Sequence, residues 1–196
     1  ASHNPAKYLG LKVKGAFGGS VTEDVTKKIE VLYNSNTVIT PNSSGTITYF
    51  DPWDSYCQQL RSQVDVAQIQ SAIASGRLKI LVDVMHGAAS TGLSRLLGCD
   101  IPEINGNRDV LFGGGAPEPL PRYIAELFRQ VKQMAVSHPD SLRIGLVFDG
   151  DCDRIASVDG RGNFCSTQVL IPILIEHLAV HKKLTGEIVK TVSGSD

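Results

Sequence analysis

Arg143-Ile144-Gly145-Leu146-Val147-Phe148-Asp149-Gly150-Asp151-Cys152-Asp153-Arg154 is the stretch whose reading decides the fold. It opens as an apolar run and closes as a polar loop of three alternating carboxylates and an arginine. A short run without polar alternation reads as a strand buried on both faces, the mark of a parallel sheet covered by helices. Leu78-Lys79-Ile80-Leu81-Val82-Asp83-Val84 is a second such run. Between and around them lie segments with apolar residues at helical spacing. Pro52–Leu60, Asp65–Ala74, Ala88–Leu97, Leu120–Val136 and Gln168–Val180 read as helices; Gly76 and Gly98 close two of them. Ile101–Ile104 and Ile155–Val158 read as short strands, the latter turning at Asp159-Gly160, and Glu187–Val192 as a last strand. Helices alternating with short β-rich runs imply βαβ units: an α/β fold of mostly parallel, three-layer αβα sheet domains.

The first fifty residues read as the tail of a domain. Gly15–Ser20 leads into a helix beginning near Thr22, with acid first and lysine later. Thr40–Pro52, rich in proline and hydroxyl residues, is the linker expected between domains. With no strand before the first loop and little after the last, both ends read as cut from a larger protein.

Composition sets bounds. At 196 residues and 42% hydrophobic, the chain can bury an ordinary globular core. A net charge of −1 without blocks of like charge argues against nucleic-acid or acidic-membrane partners. The greasiest stretch, Val169–Val180, is interrupted by Pro172, Glu176 and His177 and is too short for a membrane span. Cys57, Cys99, Cys152 and Cys165 are scattered and form no C-x-x-C pair, so reduced thiols in a cytoplasmic protein are expected.

The loop after Phe148 carries the chemistry. In an extended segment Asp149, Asp151 and Asp153 would converge on one side. Their mutual repulsion raises their pKa values unless a cation or Arg154 offsets it. Mg²⁺ takes oxygen ligands of this kind, and α/β sheets bind ligands beyond the carboxyl ends of their strands. An EF-hand fails here: its sixth and twelfth positions hold Arg154 and Gly160. An aspartate-nucleophile phosphatase, D-x-D-x-T/V, wants Thr or Val at its fifth position, where Asp153 stands and Arg154 follows. It stays as an alternative beside an ordinary acidic surface turn. At the other end, Ala1-Ser2-His3-Asn4-Pro5 taken alone reads equally as a turn or a helix cap. His86 is a structural or cleft histidine, Gly113-Gly114-Gly115 a flexible turn, Trp53 a packing residue and Cys152 a filler whose acidic neighbours disfavour a thiolate.

Taken together, Ala1-Ser2-His3-Asn4-Pro5, Lys12 and Asp149-Gly150-Asp151-Cys152-Asp153-Arg154 resemble the serine and metal loops of the α-D-phosphohexomutase superfamily. Leu81–Ala88 and Pro117-Glu118-Pro119 resemble its second domain. Where the family often has Asn-Gly ahead of the lysine, this chain has Leu9-Gly10.

The resemblance implies residues 1–50 as the end of domain 1, 51–163 as domain 2 and 164–196 as the start of domain 3. It implies Ser2 as the serine carried as phosphoserine, and Asp149, Asp151 and Asp153 as Mg²⁺ ligands together with a Ser2 phosphoryl oxygen. Arg154 would steady the phosphoryl group, and His3 and Lys12 would contact sugar or move protons. The implied activity is interconversion of hexose 1- and 6-phosphates through a bisphosphorylated sugar. Phosphoglucomutase is the first expectation; phosphomannomutase or phosphoglucosamine mutase is the alternative. This segment alone is expected to be inactive. A non-catalytic αβ module that binds sugar phosphate is the reading of a different class.

Overall fold

The computed structural model describes residues 2–36 and 45–189. The chain divides into two compact units, Ala1–Tyr8 with Pro52–Asp196, and Leu9–Asp51. In the larger unit five strands form one sheet: β1 (Leu78–Asp83), β2 (Glu103–Ile104), β3 (Leu142–Phe148), β4 (Ile155–Val158) and β5 (Phe164–Cys165). The sheet order is β2-β1-β3-β4-β5. β1 runs parallel to β2 and to β3, along its whole length with β3, from Leu78 opposite Leu142 to Asp83 opposite Val147. β4 and β5 fold back antiparallel. The expected α/β architecture with a mostly parallel sheet is what forms.

Two cores, one on each face of the sheet, follow from the period of two. Leu81 and Val147 join Ile124, Leu127 and Val131 of the segment around α5 (Ala125–Ser137). Val82 and Val84 pack on the other face with Val66 of α3 (Val66–Ala74) and Leu97 of α4 (Gly92–Leu97). Gly145 makes the first contact possible: a Cβ there would lie 2.8 Å from Val131 Cγ2 and 3.0 Å from Leu127 Cδ1. The Asp65 side chain accepts the Gln68 N–H at 3.0 Å and caps α3. Trp53, the first residue of α2 (Trp53–Gln63), seats its ring over Gly92, where any Cβ would meet it at 2.5 Å. The sequence expectation for Trp53 is packing between the linker and the second domain; the contact seen here joins α2 to α4.

Several boundaries move for local reasons. The helix expected from Ala88 begins at Gly92, because Ala88–Thr91 is spent in turns ending at a left-handed Thr91. β2 is short because Pro102 has no N–H to give the ladder. Leu120–Val136 is split, a 3₁₀ turn at Pro121–Tyr123 preceding α5. The last helix, α6 (Thr167–Glu176), passes into a π-type turn at His177–His181. Residues 187–189 carry no strand, and the rest of the strand expected there lies outside the described residues.

In the smaller unit Lys14 and Ser20 form an antiparallel bridge around the glycine-rich turn, and α1 spans Glu23–Asn34. Part of the expected linker lies outside the described residues. Among the described residues no helix is long and apolar enough to cross a membrane.

Candidate active site

β1 and β3 are neighbours whose connections leave in opposite directions, to β2 on one side and β4 on the other. The crevice beyond their carboxyl ends is therefore the expected ligand position of an α/β sheet. Asp149 is the first residue past β3 and is fully buried. Its Oδ1 accepts the backbone N–H groups of Asp153 and Arg154, both at 3.0 Å. The Cys152 N–H donates to the Asp149 carbonyl at 3.1 Å, and Cys152 itself is left-handed at φ 63°. The segment is thus a tight turn wrapped around the Asp149 carboxylate, not the extended run expected. Side chain-to-backbone bonding of this kind is what aspartate offers a turn. The expected convergence survives by this different route: Asp149, Asp151 and Asp153 each offer a carboxylate oxygen within 4.8 Å of the others.

Burial pushes the Asp149 carboxyl above its usual range, and Asp151 and Asp153 push it further. Bonds from the Arg154 N–H and Ser2 pull the other way. Desolvation, rather than the repulsion foreseen from the sequence, is the leading cause. Arg154 offers limited relief, its Nε lying 4.0 Å from Asp149 Oδ2 with the side chain half exposed. Burial first, then the three carboxylates, raises the Cys152 thiol, so it stays protonated at neutral pH as its neighbours suggested.

The serine loop meets this turn. Ser2 Oγ donates to Asp149 Oδ2 at 3.1 Å across 147 residues of sequence. His3 Nδ1 lies 3.4 Å from Ser2 Oγ. Ser2, His3, Asp149, Asp151, Asp153 and Arg154 therefore share one unit, whereas Lys12 belongs to the other.

Two further segments reach the same turn. The Gly150 N–H is shared by the carbonyls of Ser2 (3.0 Å) and Pro117 (3.2 Å), and its carbonyl accepts the Ala88 N–H at 3.0 Å. These contacts run through backbone, so side-chain chemistry did not mark them; the signals were the glycines after the buried strands, Gly87 and Gly150, and the resemblance of Leu81–Ala88 and Pro117-Glu118-Pro119 to the family's second domain. His86 lines a cleft of about 420 Å³ beside Gly150, and its Nδ1 lies 2.9 Å from the Asn107 carbonyl. Gly113 and Gly114 are left-handed, as a glycine turn requires.

The donor set suits a hard divalent cation. Three carboxylate oxygens converge, one buried, and their mutual repulsion is the kind a cation relieves.

Comparison with known proteins addresses the family and the fold. The family profile for phosphoglucomutase/phosphomannomutase alpha/beta/alpha domain II matches residues 54–162, and that for domain I matches residues 1–39. A phosphoglucosamine/phosphogalactosamine mutase of Sulfurisphaera tokodaii is 34% identical over 83% of this chain and 35% of its own length. A phosphoglucosamine mutase of Geobacillus kaustophilus is 28% identical over 98% of this chain and 42% of its own. The crystal structure of a phosphomannomutase-type protein from Thermus thermophilus superposes with a TM-score of 0.71 at 27% identity, covering 93% of this chain and 39% of that one. The chain spans about 40% of the length of the curated relatives it matches. With the domain II profile covering more than half of it, the chain belongs to the phosphoglucomutase/phosphomannomutase family.

Proposed function

We propose that this chain is the phosphoryl-carrying part of a phosphohexomutase that interconverts hexose 1-phosphate and hexose 6-phosphate. The observation that carries the reading is the 3.1 Å bond from Ser2 Oγ to Asp149 inside a trio of carboxylates. A hydroxyl at that point is placed to hold a phosphoryl group, which needs positioning and charge neutralisation more than covalent help. In this cycle the Oγ–P bond of phosphoserine 2 breaks as a sugar hydroxyl oxygen bonds to phosphorus, and the hydroxyl proton passes to the freed Ser2 oxygen. The bisphosphorylated sugar then presents its other phosphate; the Ser2 oxygen bonds to that phosphorus as the sugar O–P bond breaks, and the serine proton returns to the sugar oxygen. Asp149 Oδ2, 3.1 Å from Oγ, is the nearest acceptor for the serine proton, and His3 Nδ1, at 3.4 Å, is the second group that can hold it. Asp149, Asp151 and Asp153 would hold Mg²⁺, which when bound supplies positive charge beside the moving phosphoryl group. Arg154 adds a second cationic group at the turn, and Lys12 is assigned to the sugar side by the family resemblance.

Residues 1–50, 51–163 and 164–196 are taken as the end of domain 1, domain 2 and the start of domain 3. Glucose phosphate was the first sugar expected from sequence. The names carried by the relatives favour an aminosugar, so glucosamine phosphate moves to the front, with glucose and mannose phosphates as rivals.

The test uses the full-length protein. Glucosamine, glucose and mannose 6-phosphates are offered in parallel, and intact mass is read for an added phosphoryl group of about 80 Da. Ser2→Ala is expected to lose both the mass increment and turnover while keeping its circular dichroism. Undiminished turnover in that variant sinks the assignment. A native fold with no turnover on any of the sugars favours the non-catalytic binding module.

A further inference from the structure

Gly150 stands between two of the three carboxylates, and its peptide is gripped from three sides. Ser2 and Pro117 take its N–H, Ala88 donates to its carbonyl, and Gly87 lies flat against it. The last contact leaves no slack: a Cβ on Gly87 would sit 2.5 Å from Gly150 O and 2.9 Å from its Cα. Both partners are main-chain atoms, which cannot swing aside as a flexible side chain would.

The segment that presents Gly87 is itself braced. Met85 and His86 are both left-handed, at φ 47° and 56°, a conformation that L residues with side chains rarely adopt in succession. Asp83, 1% exposed, holds this kink from below. Its Oδ1 accepts the Met85 N–H at 3.0 Å and the Asn105 side-chain amide at 2.9 Å. The His86 N–H closes the brace on the Asn105 carbonyl at 2.9 Å. A chain of short contacts thus runs from a buried carboxylate in β1 to the peptide between Asp149 and Asp151.

We infer that Gly87 and Asp83 are positioning residues for the aspartate loop: together they fix the Gly150 peptide, and through it the separation of the carboxylates and the docking of Ser2. This rests on the reading of Asp149, Asp151 and Asp153 as a cation site. It also gives the segments 81–88 and 117–119 a shared task, as opposite jaws on Gly150.

The experiment is calorimetric titration of Mn²⁺ and Mg²⁺ into the full-length protein, metal-free at the start. Gly87→Ala is expected to weaken cation binding tenfold or more with circular dichroism unchanged. Gly45→Ala serves as control, because a Cβ there meets nothing within 4 Å. Should Gly87→Ala fail to fold, the Asp83 pair decides. Asp83→Ala should weaken binding about as much, and Asp83→Asn, which keeps an acceptor oxygen for Met85 and Asn105, should restore it to within threefold. Affinity within twofold of wild type in folded Gly87→Ala or in Asp83→Ala overturns the inference, as does Asp83→Asn no better than Asp83→Ala. Turnover measured alongside separates the two readings. A wild-type protein that binds the cation but turns over no sugar phosphate refutes the mutase and leaves the positioning role standing. One that turns over while Gly87→Ala binds normally refutes the positioning role alone. A wild type that binds neither ion refutes the cation site and the positioning role, and its turnover decides the mutase.

Discussion

Replacing Asp149 by Ala and by Asn in the full-length protein should separate its two jobs, building the turn and supplying charge. Its Oδ1 satisfies the N–H groups of Asp153 and Arg154. Alanine removes that acceptor and the bond from Ser2. An unsatisfied buried donor costs about 1–3 kcal/mol, and the rim of this turn is partly wet, so the low end applies to each amide. The sum is about 2–4 kcal/mol, a fall of roughly 5–15 °C in the melting temperature of a domain of this size. Asparagine keeps an oxygen where Oδ1 stands, so both amides stay bonded and the loss should be under about 1 kcal/mol. It also removes the buried negative charge, and with it one of three anionic donors, so Mn²⁺ or Mg²⁺ affinity should fall tenfold or more in both variants. Scanning calorimetry gives the first quantity and cation titration the second. Asparagine as destabilising as alanine would refute the claim that the two amide bonds hold the turn. Cation affinity unchanged in Asp149→Asn would refute the metal assignment itself.

The pH dependence of the metal-free protein has a definite sign. Burial raises the folded-state pKa of Asp149 and of Asp83 above that of the unfolded chain, so each binds its proton more tightly when folded. Their contribution is fully present below the unfolded value, about 3.9, and is lost as pH rises through the folded value. Asp109 and Asp159, held low chiefly by backbone N–H bonds, act oppositely, and only as pH falls below that same value. Melting temperature above pH 4 should therefore drift downward with pH as far as these carboxylates set it, and Asp149→Asn should flatten the drift; an unchanged slope in that variant counts against the buried charge. Gly145→Ala tests the packing of α5 on the sheet. Its Cβ would press on Val131 and Leu127 at 2.8–3.0 Å, so overpacking of about 1–3 kcal/mol should lower the denaturation midpoint, and an unaltered midpoint would show that α5 can retreat.

Much of this fold was legible because β1 and β3 are largely apolar runs without polar alternation, and such runs in an α/β pattern need helices on both faces. Ends of elements were less legible, for reasons specific to each. Pro102 shortens β2 by withholding an N–H, and Ala88–Thr91 goes into turns because its N–H groups have partners outside any helix. The carboxylate trio was legible as a set of residues but not as a geometry. Alternation along a strand places Asp149, Asp151 and Asp153 on one side, successive ones roughly 6–7 Å apart along the chain; in the folded chain a left-handed Cys152 instead brings the backbone round onto Asp149. No periodicity encodes that reversal. The grip on Gly150 was hidden more deeply, since its partners are main-chain atoms at residues 2, 88 and 117, remote in sequence and silent in composition.

Several unfavourable features of the larger unit meet at one crevice. Of its left-handed non-glycine residues, Met85, His86, Asn105 and Cys152 follow the carboxyl ends of β1, β2 and β3, while Thr91, Phe112 and Lys183 are further cases outside those strand ends. Each costs about 1–2 kcal/mol over an ordinary conformation. Asp149 adds a buried carboxylate beside two others, with the Arg154 Nε 4.0 Å away. None of this helps the sheet to form, and a neutral glycine-containing turn would close β3 onto β4 at less cost. Local rules of sequence and structure agree along β1, β3 and α5 and break together at this crevice. A chain that carries such conflicts where its carboxylates and serine converge is holding those groups against their own preferences. A bound cation would offset the electrostatic part directly. The backbone part has to be carried by Asp83, Gly87 and the shared N–H of Gly150 whether or not the cation is present, so disturbing that bracing should weaken the cation site even when every carboxylate is intact.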